Sequence, residues 1–258
     1  MVDQRNILKY FDLKRPAIFA HRGSSAYAPE NTLASFKLAV EQHADVIELD
    51  ATLSADGQVV VIHDDTVDRT TNGTGRVKSL NLSELKYLDA GSKFNPAYQT
   101  ERIPTLAEVF ESVGQQILID VELKNYNSPT DDLSDRVIAL VKKYALQSSV
   151  MLSSFNLIAL IRARSLLPGI SLGLITVHGF AGLILRSRLI RLGPLLALHP
   201  NYMDVTPSLV NAAHRIKSRV HAFTVNHPDD MRRLFNNGVD GIFTADPPTA
   251  HEVLSEIH

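Results

Sequence analysis

A series of short apolar runs, most of them separated by segments of helical pattern, is the feature that most restricts the fold of this chain. Several runs lack polar–apolar alternation, which is typical of strands buried on both faces of a parallel sheet. Parallel neighbours need long crossover connections, and the intervening segments carry apolar side chains at helical spacing. The sequence therefore predicts an α/β fold, either a barrel or a doubly wound sheet. The predicted strands are residues 17–20, 46–50, 59–63, 117–123, 150–153, 171–176, 202–206, 220–225 and 241–244.

One junction departs from this pattern. The second and third runs are too close for a crossover helix, and Asp56–Gly57 between them is a hairpin signal. Such a hairpin would place Asp50 roughly opposite His63. A distorted TIM (β/α)8 barrel with one irregular strand therefore fits better than an ideal eightfold barrel.

The segment after the third strand is also irregular. Residues 64–102 are rich in Asn, Gly and Thr, show little strand pattern and are too long for a plain loop. We expect a small insertion there, over one end of the barrel. A capping box at Thr105 and Glu108 predicts that a helix follows. Since the sequence shows no internal repeat or linker, we expect a single domain over residues 1–258.

Composition excludes several functional classes. The chain has 258 residues, 45% of them hydrophobic, so a largely disordered protein is excluded. A net charge of −2 gives no basic field for nucleic acid, and we expect no nucleic-acid partner. The absence of cysteine excludes disulfides, thiolate nucleophiles and cysteine-ligated metals, whereas ten histidines are available as nitrogen bases.

Two regions bear on membranes. Residues 1–16 carry charges throughout, so we expect no secretion signal and a cytoplasmic protein. The most apolar stretch, residues 166–185, contains Pro168, His178 and four glycines. A membrane-spanning helix needs about 20 apolar residues without such interruptions, so we do not expect this stretch to span a membrane. The apolar and basic segment Arg186–Leu192 is expected to be an exposed barrel helix, with a membrane-surface patch as the alternative.

Charged and imidazole side chains lie at the ends of the first four predicted strands. Singly, each is common as a surface ion pair or a packing residue. In a parallel barrel the carboxyl ends of the strands meet at one mouth, so together these side chains indicate a site. They are His21, Arg22, Glu48, Asp50, His63, Glu122 and Lys124.

Two kinds of charge are present in this set. The carboxylates of Glu48, Asp50 and Glu122 supply hard oxygen ligands, which suit Mg²⁺ or Ca²⁺. Without a cation they would repel one another, and some would take up protons. Arg22 offers a planar fork and Lys124 a point charge, both suited to a phosphate.

The two histidines complete the chemistry. His21 and His63 are candidates for general base and general acid, and phosphodiester hydrolysis needs both together with positive charge on the nonbridging oxygens. His199, beside Pro200 at the start of the seventh predicted strand region, is a weaker candidate for reaching the mouth. Dinucleotide, Walker A, nucleophile-elbow and zincin motifs are absent from the sequence.

Taken in order, these motifs resemble the glycerophosphodiester phosphodiesterase family, over residues 17 to about 247. The matching segments are residues 21–23, 29–32, 48–50, 56–57, 63–64, 69–75, 121–124, 153–155, 224–226 and 238–242. The resemblance implies a TIM-type barrel with an insertion after the third strand. It also implies one divalent cation, Mg²⁺ or Ca²⁺, on the three carboxylates, the two histidines as acid and base, and Arg22 and Lys124 near the phosphate. The implied reaction releases glycerol 3-phosphate and an alcohol.

Phe155 and Phe223 are candidates for an apolar substrate wall. Many relatives carry Trp before Thr-Val-Asn, where this chain has Phe223. Phenylalanine keeps the wall but lacks the indole donor and the stronger cation–π face, so a preference for choline is not carried over.

The expected partner is a small-molecule glycerophosphodiester, with the oligomeric state left open. The first alternative is an enzyme that cleaves lysophospholipids or lipid headgroups at a membrane surface, using the Arg186–Leu192 patch. The second is a noncatalytic phosphate-binding module, which the joint presence of both histidines and all three carboxylates disfavours.

Overall fold

The computed structural model describes residues 9–126, 128, 130–179, 182 and 196–257. Eight parallel strands form a nearly closed barrel, and a ninth strand is antiparallel to its neighbour. The strands are β1 Ala17–His21, β2 Val46–Leu53, β3 Val59–Val61, β4 Leu118–Leu123, β5 Val150–Ser154, β6 Ser171–Thr176, β7 Leu196–Pro200, β8 His221–Ala222 and β9 Gly241–Thr244. Their order is β7-β6-β5-β4-β2-β1-β9-β8, and parallel bridges Leu198–Val220 and Asn201–Phe223 connect β7 with β8. The predicted TIM-type barrel is confirmed.

The irregular strand, β3, forms the predicted hairpin with β2. β3 pairs antiparallel with β2, with Ala51 opposite Val61. Gly57 in the connecting turn has a φ of +73°, a conformation that glycine adopts without the steric cost of a Cβ. The backbone N–H of Ile62 donates to the carbonyl of Asp50 at 2.9 Å, so His63 follows close to the end of β2.

Helices cover the outside of the barrel, and an apolar layer separates them from the strands. In the described residues they are α1 Leu33–Glu41, α2 Leu82–Tyr87, α3 Leu106–Val113, α4 Leu133–Lys143, α5 Leu157–Leu166, α6 Pro207–Arg215, α7 Pro228–Asn236 and α8 Pro247–Ile257. The predicted capping box is confirmed, since Thr105 Oγ1 accepts from the Glu108 N–H and Glu108 Oε2 accepts from the Thr105 N–H.

The lower interior of the barrel is filled by a second apolar cluster. Tyr10, from the short 3₁₀ helix Tyr10–Asp12, packs there with Phe19, Met151 and Phe243. Its backbone N–H donates to the Ser148 carbonyl, at the amino end of β5. This closed lower end leaves the opposite end, where the strands finish, as the open mouth.

The predicted seventh strand, residues 202–206, is wrong. β7 lies earlier, at Leu196–Pro200, and Tyr202–Asp204 forms a 3₁₀ helix. The side chain of Asn201 accepts from the Met203 N–H, and that of Thr206 accepts from the Leu209 N–H, so both residues cap helices instead of pairing in a sheet.

The segment between β3 and α3 contains α2 and the 3₁₀ helices Val77–Ser79 and Pro96–Tyr98. Its buried apolar residues form a small cluster that also includes Val60 of β3. The interpretation as one domain with an insertion at 64–102 stays a prediction. The segment Arg186–Leu192 lies outside the described residues. In the part of the chain that the structure describes, no helix is long and apolar enough to cross a membrane.

Candidate active site

The mouth of the barrel contains a pocket with about 560 Å³ of empty space, including the part open to solvent. Eight of the nine predicted site residues line this pocket, and the ninth, Asp50, is fully buried beside them. The lining residues are His21, Arg22, Glu48, His63, Glu122, Lys124, Ser153, Phe155, Ile175, His199, Phe223, Thr224 and Phe243. We call the lining from β1 to β4, together with Asp50, the charged half, and the lining from β5 to β9 the neutral half.

Strand register brings the carboxylates together. Across β2 and β4, Asp50 lies opposite Glu122, and across β1 and β2, His21 lies opposite Glu48. Alternate residues of a strand point to the same side, so these groups share the barrel interior. One oxygen from each of Glu48, Asp50 and Glu122 lies within 4.8 Å of the others. These oxygens are close enough together for one metal ion to contact all three carboxylates.

Burial determines the electrostatics of these carboxylates. It raises the pKa of Glu122 to about 7, with a further contribution from Asp50, and raises the pKa of Glu48 in the same way. Burial also acts on Asp50, but Lys124 and Arg22 hold its pKa below the ordinary value. Oε1 of Glu48 and Oδ1 of Asp50 have no hydrogen-bond partner among the described residues. The all-oxygen set and its unpartnered atoms fit a hard divalent cation.

Two cations lie against the same carboxylates. Lys124 Nζ is 3.4 Å from Glu122 Oε1 and 3.5 Å from Asp50 Oδ1. Arg22 Nε is 3.4 Å from Asp50 Oδ2, and its backbone N–H donates to Glu48 Oε2 at 2.9 Å. These contacts hold both cations at the mouth, where an anionic group entering the pocket would meet them.

The two histidines lie in different surroundings. His21 Nε2 is 4.0 Å from Glu48 Oε2, and burial, together with the nearby Arg22, lowers the pKa of His21 to about 3, so its imidazole is neutral. His63 is partly exposed, and its Nδ1 lies 2.5 Å from Asp64 Oδ1. When Nδ1 carries the proton it donates to this carboxylate, which leaves Nε2 free for another partner.

The sequence interpretation assigned no role to a group of residues that connects these elements. Arg69, from the segment after β3, donates to both Glu30 oxygens at 2.7 and 2.8 Å and to Asp64 Oδ2 at 2.7 Å. Glu30 in turn accepts from Arg22 Nη1 at 2.9 Å. One exposed guanidinium therefore links the partners of Arg22 and His63. The acidic residue directly after His63 was a usable signal, but the reach of Arg69 was not visible in sequence spacing.

Other supports are shorter in range. Asn31 Nδ2 donates to Asp50 Oδ2 at 2.8 Å, and the Tyr126 hydroxyl donates to Glu122 Oε1. Both contacts fix a carboxylate through a neutral donor. Neither residue was predicted from the sequence as a site residue.

The neutral half presents aromatic rings and small polar groups. The rings of Phe155 and Phe223 contact each other nearly perpendicularly, with centroids 6.1 Å apart, and form a wall. Ile175 and Phe243 extend the apolar surface, and Ser153, Thr224 and His199 are interspersed in it. This side of the pocket suits uncharged parts of a ligand.

Buried polar groups continue below the pocket. His199 Nε2 lies 3.1 Å from Nδ1 of His221, which approaches the Tyr10 hydroxyl at 3.3 Å. Asp120, one inward position below Glu122 on β4, is fully buried, and burial raises its pKa to about 8. Asp120 is not predicted as a site residue from the sequence, because it lies inside an otherwise apolar run.

Comparison with known proteins gives one consistent result. The family model described as "Glycerophosphoryl diester phosphodiesterase family" matches residues 21–249. Among curated proteins, the chain is 42% identical to a glycerophosphodiester phosphodiesterase of Caldanaerobacter subterraneus subsp. tengcongensis, over 90% of this chain and 95% of the relative. It is 32% identical to a glycerophosphodiester phosphodiesterase of Bacillus subtilis, over 91% of this chain and 85% of the relative.

A solved structure shows the same similarity. An Oleispira antarctica phosphodiesterase, in complex with its product sn-glycerol-3-phosphate, is 34% identical to this chain with a TM-score of 0.85. The match covers 93% of this chain and 97% of that one. Fold and sequence therefore agree over nearly the whole length of the barrel.

Proposed function

The chain belongs to the glycerophosphoryl diester phosphodiesterase family, and on that premise we propose that it hydrolyses glycerophosphodiesters to glycerol 3-phosphate and an alcohol. One observation carries the proposal: three carboxylates, two cations and two histidines converge on one pocket. The glycerol 3-phosphate complex of the Oleispira antarctica relative supports the choice of product.

A single divalent cation, Mg²⁺ or Ca²⁺, is the proposed cofactor, held by Glu48, Asp50 and Glu122. The compact oxygen cluster, in which Glu48 Oε1 and Asp50 Oδ1 accept no hydrogen bond from a described residue, supports this assignment. When bound, the ion would supply positive charge that stabilises charge on the phosphate oxygens. The three carboxylates would hold the ion, and its charge would relieve their mutual repulsion.

Arg22 and Lys124 are the proposed ligands of the nonbridging phosphate oxygens. Both are at the mouth, where the charged group of each lies 3.4–3.5 Å from oxygens of the central carboxylates. The planar fork of Arg22 can donate twice to a phosphate, whereas the ammonium of Lys124 acts as a point charge.

Proton transfer is assigned to the histidines. His21 is neutral, so we propose that its Nε2 takes the proton from the attacking oxygen. His63 is held by Asp64 through Nδ1, which orients the ring, and we propose that its Nε2–H is the proton donor to the leaving alcohol. One proton is thus accepted as the new P–O bond forms, and one is given to the alcohol oxygen as the old bond breaks.

A direct assay tests the function. Purified protein is incubated with a panel of glycerophosphodiesters and Mg²⁺ or Ca²⁺, and released glycerol 3-phosphate is measured. We expect turnover that chelator abolishes and added cation restores. Full turnover in excess chelator would refute the metal dependence, and absence of glycerol 3-phosphate with every substrate and ion would refute the function.

The lysophospholipid alternative depended on Arg186–Leu192, outside the described residues, so it has no structural support and stays an alternative. Co-sedimentation with anionic liposomes, together with faster turnover of lysolipid than of glycerophosphocholine, would favour it. The cytoplasmic location also stays a prediction.

A further inference from the structure

Two polar side chains in the neutral half have no part in the chemistry proposed above. Ser153 on β5 and His199 on β7 line the pocket, and each is only 1% exposed. Ser153 Oγ and His199 Nδ1 both lie near the buried Asp120 carboxyl, but neither makes a hydrogen bond within 3.5 Å to a residue that the structure describes. Because buried polar groups in proteins are nearly always hydrogen-bonded, a molecule that enters the pocket is the natural partner for both.

The position of His199 is built into the barrel. Gly173 on β6 lies against its ring, and a Cβ at that position would be 2.4 Å from the imidazole, so only glycine leaves room for it. The ring of Phe243 packs at a centroid distance of 5.0 Å, and Nε2 lies 3.1 Å from His221 Nδ1. The nearest carboxylate oxygen to Nδ1, from Asp120, is 3.8 Å away, beyond hydrogen-bond distance. The ring is therefore fixed while Nδ1 keeps its capacity to bond.

The surroundings indicate what chemistry would be bound. Burial lowers the pKa of His199 to about 3, so the imidazole is neutral, and the Ser153 hydroxyl is neutral as well. Neutral donors and acceptors match alcohol hydroxyls, and the adjacent Phe155 and Phe223 match a carbon chain. An anion would instead bind in the charged half, beside Arg22 and Lys124.

We propose that Ser153 and His199 bind the hydroxyl groups of the glycerol unit and thereby select glycerol-bearing phosphodiesters over simple alkyl phosphodiesters. This inference rests on the proposed function and deepens it. Both residues are assigned to specificity, while bond cleavage is left to the charged half.

The test compares two ligands that differ only in hydroxyl groups. Affinities for sn-glycerol 3-phosphate and n-propyl phosphate are measured by calorimetry on the Mg²⁺-loaded protein. Wild type is expected to prefer glycerol 3-phosphate. Ser153→Ala and His199→Gln should each reduce that preference about fivefold, the usual effect of one neutral hydrogen bond. Affinity for propyl phosphate should stay unchanged.

Matched variants separate a specific role from a structural one. Asparagine places its amide near the position of Nδ1, so His199→Asn should retain the preference that His199→Gln loses. Ser154→Ala is the control, because the Ser154 hydroxyl donates to the Leu123 carbonyl at 2.9 Å and does not line the pocket. If His199→Gln fails to fold, Ser153→Ala, which removes one oxygen atom, carries the test alone.

Several results would overturn the inference. An unchanged preference in folded Ser153→Ala and His199→Gln would do so, as would equal losses in the Asn and Gln variants at position 199. A loss confined to the leaving alcohol, seen as altered discrimination between glycerophosphoglycerol and glycerophosphoethanol with no change in product binding, would also overturn it. Failure of the proposed function is distinct, since wild type would then bind glycerol 3-phosphate without releasing it from any diester.

Discussion

The charged half and the neutral half of the pocket differ in how their buried polar groups are compensated. In the charged half, each carboxylate has an opposite charge or a donor nearby: Glu122 has Lys124, and Asp50 has Arg22 and Asn31. In the neutral half, Ser153 and His199 are set among the apolar and aromatic lining residues, and no opposite charge pairs with them at hydrogen-bond distance. A phosphodiester has the same division, with a charged phosphorus centre between uncharged alcohol parts. The two halves therefore match the two kinds of substrate surface.

The largest effects are expected from the histidines of the charged half. His21→Ala and His63→Ala should each lower turnover by about 10²- to 10⁴-fold, because general acid–base groups contribute that much. The measurement is kcat for glycerol 3-phosphate release, with folding checked by circular dichroism. His251→Ala, on α8 and bonded to the His43 carbonyl, is the control. Near-normal activity in both test variants would refute the proposed acid–base mechanism. Catalysis could then no longer be assigned to the histidines of the charged half.

Arg69 should show an intermediate effect. Since it holds Asp64 and Glu30, Arg69→Met should release the partners of His63 and Arg22 and lower kcat/KM about 10- to 100-fold, as is usual for supporting contacts at such sites. Arg69→Lys should recover little, because an ammonium cannot reproduce the paired bonds of a guanidinium.

The control for Arg69 is Arg232→Met, which removes another exposed arginine with two acidic partners, far along the chain on α7. Activity of Arg69→Met within twofold of wild type would show that the connection from the segment after β3 has no catalytic importance.

Lowering the pH should reduce the stability of the folded protein through His199, in the neutral half. The pKa of His199 is lowered from 6.5 to about 3 by burial. Between these values the unfolded chain binds the proton and the folded protein does not, so stability is lost as the pH falls below 6.5. At pH 5 this costs about 2 kcal/mol. In urea unfolding, His199→Asn should therefore narrow the difference in unfolding free energy between pH 7 and pH 5 by about 1–2 kcal/mol.

The exposed His227→Asn variant is the comparison for this experiment. An equal difference between pH 7 and pH 5 in wild type and His199→Asn would contradict a neutral, buried imidazole at the pocket floor.

The smallest effect concerns the aromatic wall. Phe223→Trp should strengthen a cation–π contact with a quaternary ammonium, which is worth about 0.5–1 kcal/mol. The ratio of kcat/KM for glycerophosphocholine to that for glycerophosphoglycerol should rise about two- to fivefold. No change in this ratio would indicate that the headgroup does not contact Phe223. The aromatic wall would then contact only the glycerol part of the substrate.

Much of the barrel and the candidate charged-half residues could be predicted from the sequence, because charged residues at the ends of apolar strands stand out. Strand ends in a parallel barrel converge, so Glu48, Asp50 and Glu122 could be grouped without coordinates. Asp120 could not, because its place inside an apolar run resembles a buried strand position. Contacts such as those of Arg69 depend on how an irregular segment folds back, and spacing carries no such information.

The neutral half was harder to predict for a physical reason. Serine and phenylalanine at strand ends resemble ordinary core residues, so Phe155 and Phe223 were identified only through the family resemblance, and Ser153 received no role. His199 was placed before a strand at 202–206, whereas it lies within β7. A shift of this size changes which side chains face the barrel interior, and only the observed register settles it.

Product analysis by ³¹P NMR tests the central claim most directly. Purified protein with Mg²⁺ or Ca²⁺ is given glycerophosphoethanolamine, and the phosphorus-containing product is identified in wild type and in Glu122→Gln. We predict that wild type accumulates glycerol 3-phosphate, and that the variant, which lacks one carboxylate of the proposed cation site, does so far more slowly. Accumulation of phosphoethanolamine, or no cleavage with either ion, would contradict it.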